Sequence, residues 1–494
     1  MKVVVVGCGG IGCAVLEMIP LLRGGILPRD FAKELTIIEP KAVAGLPVLK
    51  PFKYRHVRKE LTSSNLNIVM NSVLTKGGVV LDCSVNVDAL AMMSVCYRFD
   101  CLYVNCSQED WFTADAGHID KSQKGLMRRS LCARIWRARE LYGGRGPSML
   151  ADQGMNPGIV SLFALRGLED MAWAVGAVAA AEAVRAGQYA KAAEMLGVRV
   201  IHITERDTQT LRRPKPRGKF YNTWSSIGLA AEALDPVQMG RGTHEAAPAV
   251  PGTVDVRNMR IVPARGMDRR AWSYSPARRG PGRTYEGFVI PHGEANTLSH
   301  CLSAPGGAYR PSVYFVYQPC PAARASLAEM RRRDYAPPTS KTAVVVTLPM
   351  LKSGYDAVGA LIWSDRYPAW WSGTVLDYAD MRPIGVAYSG PTTVQVAIAM
   401  LSALKWMLAN PSRGFLTPED LPYRQILDDC APYLGRVLST QVPADRCPQP
   451  ASLQYKAFEV ASRVRATGTT SKKKPPSDGQ RPTKHRKKRK PAAK

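Results

Sequence analysis

The first dozen residues constrain the fold most. Val3–Val6 is an unbroken β-branched run, and Gly7-Cys8-Gly9-Gly10-Ile11-Gly12 follows at once, opening Ile11–Leu22, whose apolar residues recur at helical spacing. Few folds accept a strand buried on both faces that turns through spaced glycines into a helix. Gly7 permits the tight turn, Gly9 lets backbone approach a pyrophosphate, and Gly12 lets helix pack closely on strand. The helix N-terminus then favours the anion. A second β-branched run, Leu35–Glu39, ends in an acid. The stretch is therefore read as a dinucleotide site, with Gly7, Gly9, Gly10, Ile11 and Gly12 at the phosphates and Glu39 on the ribose. Glu39 accepts from both ribose hydroxyls of NAD and repels a 2′-phosphate, so the expected cofactor is NAD; Lys41, two residues on, keeps NADP open. The interval from Gly12 to Glu39 exceeds the usual ~20 residues, and the Gly24–Asp30 loop takes up the excess. A glycine-rich turn of some other α/β domain is the competing reading.

The same alternation continues. Val79–Asp82 and Leu102–Asn105 are short apolar strand candidates with the helix-like Asp88–Arg98 between them, and Ser148–Ala151 offers one more. Short buried strands separated by helices predict a parallel sheet covered on both faces. At Asn156-Pro157-Gly158 the pattern changes: Asn as N-cap and Pro at the first helical position predict a helix from Pro157 towards Leu168. Ala177–Leu196 reads as one or two helices, Val198–Thr204 as a strand, and residues 212–312 as loops and short strands rich in Pro, Gly and Arg. Thr342–Leu348 is expected to be a strand and Thr393–Leu408 a helix packing back near the cofactor loop. The expected class is α/β: a Rossmann-type domain over residues 1–150, an α+β catalytic and dimerisation domain over 151–390, a return segment over 391–462, and a disordered basic tail over 463–494.

Charge enters the argument through that tail. The chain of 494 residues carries 67 Lys and Arg against 40 Asp and Glu, and Ser471–Lys494 alone holds eleven basic residues and one Asp. A segment so polar has nothing to bury. Its Lys472–Lys474 and Lys484–Lys490 runs suit nuclear targeting (in a eukaryotic host), weak nucleic-acid contact, or no function. Eleven cysteines, none in a Cys-x-x-Cys pair, point to reduced thiols in a cytoplasmic protein, and no Cys or His group has metal-site spacing. No signal peptide is read at the glycine-interrupted N-terminus, and no stretch of ~18 uncharged apolar residues predicts a membrane span. Neither Gly-x-x-x-x-Gly-Lys-Ser/Thr nor Gly-x-Ser-x-Gly occurs, which removes P-loop and serine-hydrolase chemistry.

A second cluster of distinctive residues lies at Ile201–Gln209, Tyr221–Ser225 and Glu232. Together with Gly7–Gly12, Ser84-Val85-Asn86, Glu109-Asp110-Trp111, Asn156-Pro157-Gly158, Gly287–His292 with Glu294, Gly354-Tyr355-Asp356, Asn410-Pro411 and Pro432–Gly435, they give the chain its family likeness. It resembles the bacterial-type homospermidine synthases, relatives of the saccharopine dehydrogenases, in order over all but the tail. The resemblance implies an NAD-dependent homodimer that oxidises putrescine to an imine, exchanges ammonia for a second putrescine, and reduces the Schiff base to homospermidine. It implies that Trp224 faces the iminium, that Glu205 and Glu232 hold ammonium groups and move protons, and that His292 and Asn156 sit at the reacting carbon. Glu109, Glu294 and Asp356 would complete an acidic lining, with Asn86 at the amine-binding mouth and Ser84 by the cofactor. A diammonium substrate independently calls for carboxylates at both ends and an aromatic face between. Taken singly, each residue has a plainer reading: Trp224 as packing, Glu205 as half of a surface pair with Arg206, His292 as a loop histidine.

Two departures stand out. Asn86 occupies the third position of a word that ends in Asp in the family, and Ala151–Gly154, including Asp152, replaces a small-residue run. Whether Asp152 compensates for Asn86 is left open by the sequence. Two competing functions also remain at this point: an opine- or carboxyamine-forming dehydrogenase, which needs cationic residues for a substrate carboxylate, and a basic nucleic-acid-binding protein on a degenerate Rossmann core.

Overall fold

Val3–Val6, Val79–Asp82 and Leu102–Asn105 are buried at every position, as strands sandwiched between helices must be. In the computed structural model, which describes residues 1–111, 131–248 and 250–460, they form the middle of a seven-stranded sheet. Its order is Phe415–Leu416, Met149–Leu150, Leu102–Asn105, Val79–Asp82, Val3–Val6, Glu34–Ile38, Lys53–Val57, parallel throughout. The helix Gly10–Leu22 leaves the first strand as expected, and Asp88 caps Ala89–Arg98 by accepting from the Ala91 N–H at 2.8 Å.

The second layer is a ten-stranded mixed sheet. Its centre is Val198–Asp207, with Ser312–Gln318 parallel on one side and Tyr355–Ser364 antiparallel on the other. This central strand runs three residues beyond the expected Thr204. Strand alternation puts Ile201, Ile203, Glu205 and Asp207 on one face and Val200, His202, Thr204 and Arg206 on the other. The first face is roofed by Ile159–Ala174, so an apolar core grades into acids along a single strand. On the opposite face His202 is fully buried between Tyr314, Trp363 and Phe458. Arg206 points that way too, donating to Tyr355 Oη at 2.8 Å. It is therefore no surface partner for Glu205.

Other expectations need correction. The helix after Asn156 starts at Ile159, not Pro157, and the Asn156–Pro157 peptide is cis. The chain folds back on itself here, with the Gly158 φ at 140° and an imagined Cβ only 1.8 Å from the Gly154 carbonyl oxygen. Only glycine fits. Thr342–Leu348 yields just the strand Ala343–Val345, because its partner, Phe220–Asn222, is equally short and Pro349 lacks a donor. Finally, Pro391–Ala409 is long and apolar enough to cross a membrane by length and composition. It is nonetheless a core helix, largely buried against Gly10–Leu22 and both sheets. Its lead-in is clamped by Glu17 of the first helix, whose carboxylate accepts the N–H groups of Ala387, Tyr388 and Ser389, each at 2.8 Å. The expected tail lies outside the described residues.

Candidate active site

The glycine loop is built as the spacing requires. Gly7 has φ +83°, and a Cβ there would lie 2.7 Å from the Cys83 carbonyl oxygen; at Gly12 it would lie 2.1 Å from that of Gly7. At Gly9 nothing stands within 4 Å, so its backbone is bare at the helix start, as a phosphate needs. Gly10 instead faces Val345 and Thr393, 2.6 and 3.5 Å from an imagined Cβ, which brings the return helix against the loop; Ile11 is half-buried beside it. Glu39 accepts the Cys8 N–H at 2.8 Å and the Lys41 N–H at 3.1 Å, so its carboxylate is held at the rim of the loop. Ser84 donates from its N–H and hydroxyl to Asp82 (3.1 and 2.6 Å), and Tyr103 Oη donates to the other oxygen of Asp82 at 2.9 Å. Burial raises the Asp82 carboxyl, and these bonds oppose the rise. The residues fit a dinucleotide.

Around the end of Val198–Asp207 the acids Glu205, Asp207, Glu232, Glu294 and Asp356 cluster, and the space they line is called the chamber. Glu205, 3% exposed, accepts from Asn156 Nδ2 at 2.6 Å through Oε2, while its Oε1 is buried without a partner. Desolvation, with Asp207, Glu232 and Glu294 nearby, outweighs the Asn156 bond and pushes the carboxyl up to about 8. Asp356 stands directly opposite Asp207 in the antiparallel ladder. It accepts from Thr392 Oγ1 at 2.6 Å through Oδ2, and its Oδ1 is orphaned. Burial raises it well above the carboxylate range, and the charges of Glu205 and Asp207 add to the rise. Asp207 accepts from the Gln209 N–H and side chain (2.8 and 3.0 Å) and from Thr223 Oγ1 (2.7 Å). Those bonds restrain a burial-driven rise to about 6. Gln209 also donates to Thr392 at 2.8 Å, joining the two aspartates through one network.

Glu232, on the helix Ser226–Leu234, is raised to about 8 by burial, moderated by His292. Its Oε1 lies 4.0 Å from His292 Nε2, and its Oε2 is orphaned. His292 Nδ1 donates to both oxygens of Glu294 at 3.0 and 2.9 Å. Burial would lower this imidazole, but Glu294, Glu232 and Asp152 outweigh it and hold the ring up to about 9. The carboxylates around it thus favour the protonated form of His292. Trp224 is half-buried and donates Nε1–H to Tyr317 Oη at 3.1 Å. Tyr317 stands beside Glu205 in register and stacks on Phe315, whose ring in turn lies 4.2 Å from His292. Glu109 accepts from Ser107 Oγ and from the Asn86 N–H, both at 3.1 Å; Asn86 adopts φ 61°. Glu109 is raised by burial and lies within the field of Glu232.

The structure thus gathers Glu205, Glu232, His292, Glu294, Asn156, Asp356 and Trp224 around one chamber, with Glu109 and Asn86 on its cofactor-domain side. Among the described residues no Lys or Arg ion-pairs with Glu205, Asp207, Glu232 or Asp356. Such a chamber holds cations, moves protons, and repels a substrate carboxylate. Sequence reasoning left Asp207, Tyr317, Thr392 and the Asp82–Tyr103 pair unassigned. Asp207 was legible: it continues the alternation of Ile201, Ile203 and Glu205. Thr392 and Tyr317 carry no such signal.

Comparison with known proteins agrees in extent and order. Residues 154–440 match the saccharopine dehydrogenase C-terminal domain, and residues 3–128 match the saccharopine dehydrogenase NADP binding domain. A homospermidine synthase of Mesorhizobium japonicum is 29% identical, covering 90% of this chain and 92% of its own. One from Blastochloris viridis is also 29% identical, covering 88% and 90%. The crystal structure of a homospermidine synthase from Legionella pneumophila in complex with NAD superposes with a TM-score of 0.79 at 26% identity, over 93% of this chain and 97% of that one.

Proposed function

The chain belongs to the saccharopine dehydrogenase family, and on that footing we propose that it makes homospermidine and ammonia from two putrescines, with NAD as a recycled cofactor. The observation that carries this reading is the set of buried carboxylate oxygens, Glu205 Oε1, Glu232 Oε2 and Asp356 Oδ1, that no donor among the described residues reaches. Buried acceptors left open in this way suit ammonium groups. An opine-type reaction would need a cation here for the substrate carboxylate, and among the described residues no Lys or Arg ion-pairs with Glu205, Glu232 or Asp356, while His292 is already engaged by Glu294. NAD suits the rim better than NADP, because the Glu39 carboxylate is fixed where a 2′-phosphate would be repelled.

NAD would be held by the Gly7–Gly12 loop and Glu39, and would supply the hydride acceptor for amine oxidation and the hydride donor for Schiff-base reduction. The residues do the rest. Asn156 occupies Glu205 Oε2 and leaves Oε1 to take a proton from the amine as its carbon is oxidised. Trp224, its N–H tied to Tyr317, presents an indole face to the iminium and offers no nucleophile. As the second amine attacks, Glu232 accepts its proton, and His292, backed by Glu294, returns one to the departing ammonia. Asp356 and Glu109 hold distal ammonium groups, with Asn86 beside Glu109. Every described cysteine is free, which suits a reducing, cytoplasmic setting. The active form is a homodimer, and the basic tail contributes only salt-sensitive contacts with polyanions such as nucleic acid.

The test is product analysis. Putrescine with substoichiometric NAD⁺ should give homospermidine by mass spectrometry with no net NADH. Accumulation of NADH in step with an aminoaldehyde would overturn the transfer reading.

A further inference from the structure

Asp152 is a carboxylate that the reaction above does not use. It is 2% exposed, and its Oδ2 is buried without a hydrogen-bond partner. It is also held in a left-handed backbone conformation, φ 58°, which few non-glycine residues adopt without cause. That conformation is enforced from behind. The Asp152 N–H donates to Asn105 Oδ1 at 2.9 Å, the Gln153 N–H donates to the Asn105 carbonyl at 2.8 Å, and Asn105 Nδ2 donates to Tyr103 Oη at 2.9 Å. Tyr103 in turn holds Asp82 beneath Ser84.

What Asp152 faces is equally specific. A Cβ on Gly293 would lie 2.4 Å from Asp152 Oδ2 and 3.2 Å from Pro157 Cβ, so the carboxylate lies against the residue between His292 and Glu294. Among the described residues, the cations that act on it are already paired. His292 is bound by Glu294, and Arg134 pairs with Asp88 and Asp110. A fold that only needed to fill this volume would not bury a carboxylate whose oxygen finds no donor, since such burial costs stability unless a partner arrives.

We propose that Asp152 is a further substrate-binding residue, receiving an ammonium group of a diamine at the His292–Glu294 end of the chamber. This rests on the reading of the chamber as a diamine site. The Glu205–Trp224 end holds the reacting amine, and Asp152 makes the site select for a second positive charge.

Binding, read apart from turnover, tests it. Putrescine and n-butylamine are titrated calorimetrically into the full chain saturated with NADH, which accepts no hydride. Asp152→Asn keeps the shape, tolerates the left-handed backbone and removes the charge; Asp152→Gly removes the side chain and also fits φ 58°. Putrescine should bind both variants about tenfold more weakly than wild type, while n-butylamine, with one ammonium, should change less than twofold. NADH affinity should be unchanged, and the melting temperature without amine should not fall. Equal putrescine affinity in wild type and variants would overturn the proposal, as would equal weakening for both amines, or failure of both variants to fold. Wild type that binds putrescine with this pattern yet makes no homospermidine would sink the proposed reaction and leave the Asp152 site standing. Wild type that does not bind putrescine would overturn both.

Discussion

Replacing Glu205 with Gln should stabilise the protein at high pH while stopping the reaction. Glu205 has an unfolded-state value of 4.5, and the fold pushes it up to about 8. The folded state therefore binds more protons than the unfolded chain between these limits. The contribution of Glu205 to stability is therefore largest below pH 4.5 and is lost as pH rises through 8. A separation of roughly 3.5 pH units costs the charged form about 5 kcal/mol. Gln cannot ionise, so Glu205→Gln escapes that cost. Its amide still accepts from Asn156 but must find an acceptor where Oε1 had none, which returns about 1 kcal/mol. The net gain at pH 9 is about 3–4 kcal/mol, and near pH 5 it falls to about zero. At ~2.1 cal/mol/K per residue over the ~440 described residues, that is a rise of about 3–4 °C in melting temperature. Thermal melts of wild type and variant from pH 5 to 9 read this directly, and putrescine turnover should fall at least ~100-fold. A variant less stable than wild type at every pH, or a difference independent of pH, would show that burial does not disfavour the Glu205 carboxylate.

Gly12→Ala should reduce NAD affinity by ~100-fold or more in a fluorescence titration, because the new methyl would meet the Gly7 carbonyl oxygen at 2.1 Å and force the loop open. Along Trp224→Phe and Trp224→Leu, homospermidine formation should fall in the order Trp, Phe, Leu while released aminoaldehyde rises; a Leu variant that matches Phe would reduce Trp224 to packing. His202 is pushed down to about 3 by burial, so wild-type stability should fall as pH drops from 6.5 towards 3. His202→Gln should flatten that acid limb in melting curves and leave the KM for putrescine unchanged.

The cofactor domain was legible because its signals are local. Val3–Val6, Val79–Asp82 and Leu102–Asn105 are fully buried strands, and an uninterrupted β-branched run has few other uses. The Gly7–Gly12 loop carries its own stereochemistry. The catalytic layer was less open to such reading. The polar Glu205, Arg206 and Asp207 hide the end of Val198–Asp207 in the sequence, yet pairing with Tyr355–Ser364 continues through all three and pairing with Ser312–Gln318 through Glu205 and Arg206. Chemistry overrides hydrophobic patterning where a strand ends inside a site. The helix start was misplaced because Asn156 caps no helix; it serves Glu205 instead. Thr392 and Tyr317 reach the acidic cluster only through tertiary packing, and no spacing in the sequence announces them.

The central claim is an internal redox cycle in which the hydride taken from one putrescine returns to the product. Putrescine deuterated at both amine-bearing carbons, supplied with a trace of NAD⁺, tests it in one mass spectrum. The account predicts homospermidine that keeps all the deuterium of its two parent molecules, with ammonia released and no net reduced cofactor. Product short of deuterium, or conversion of the trace NAD⁺ to its reduced form with no homospermidine, would contradict it.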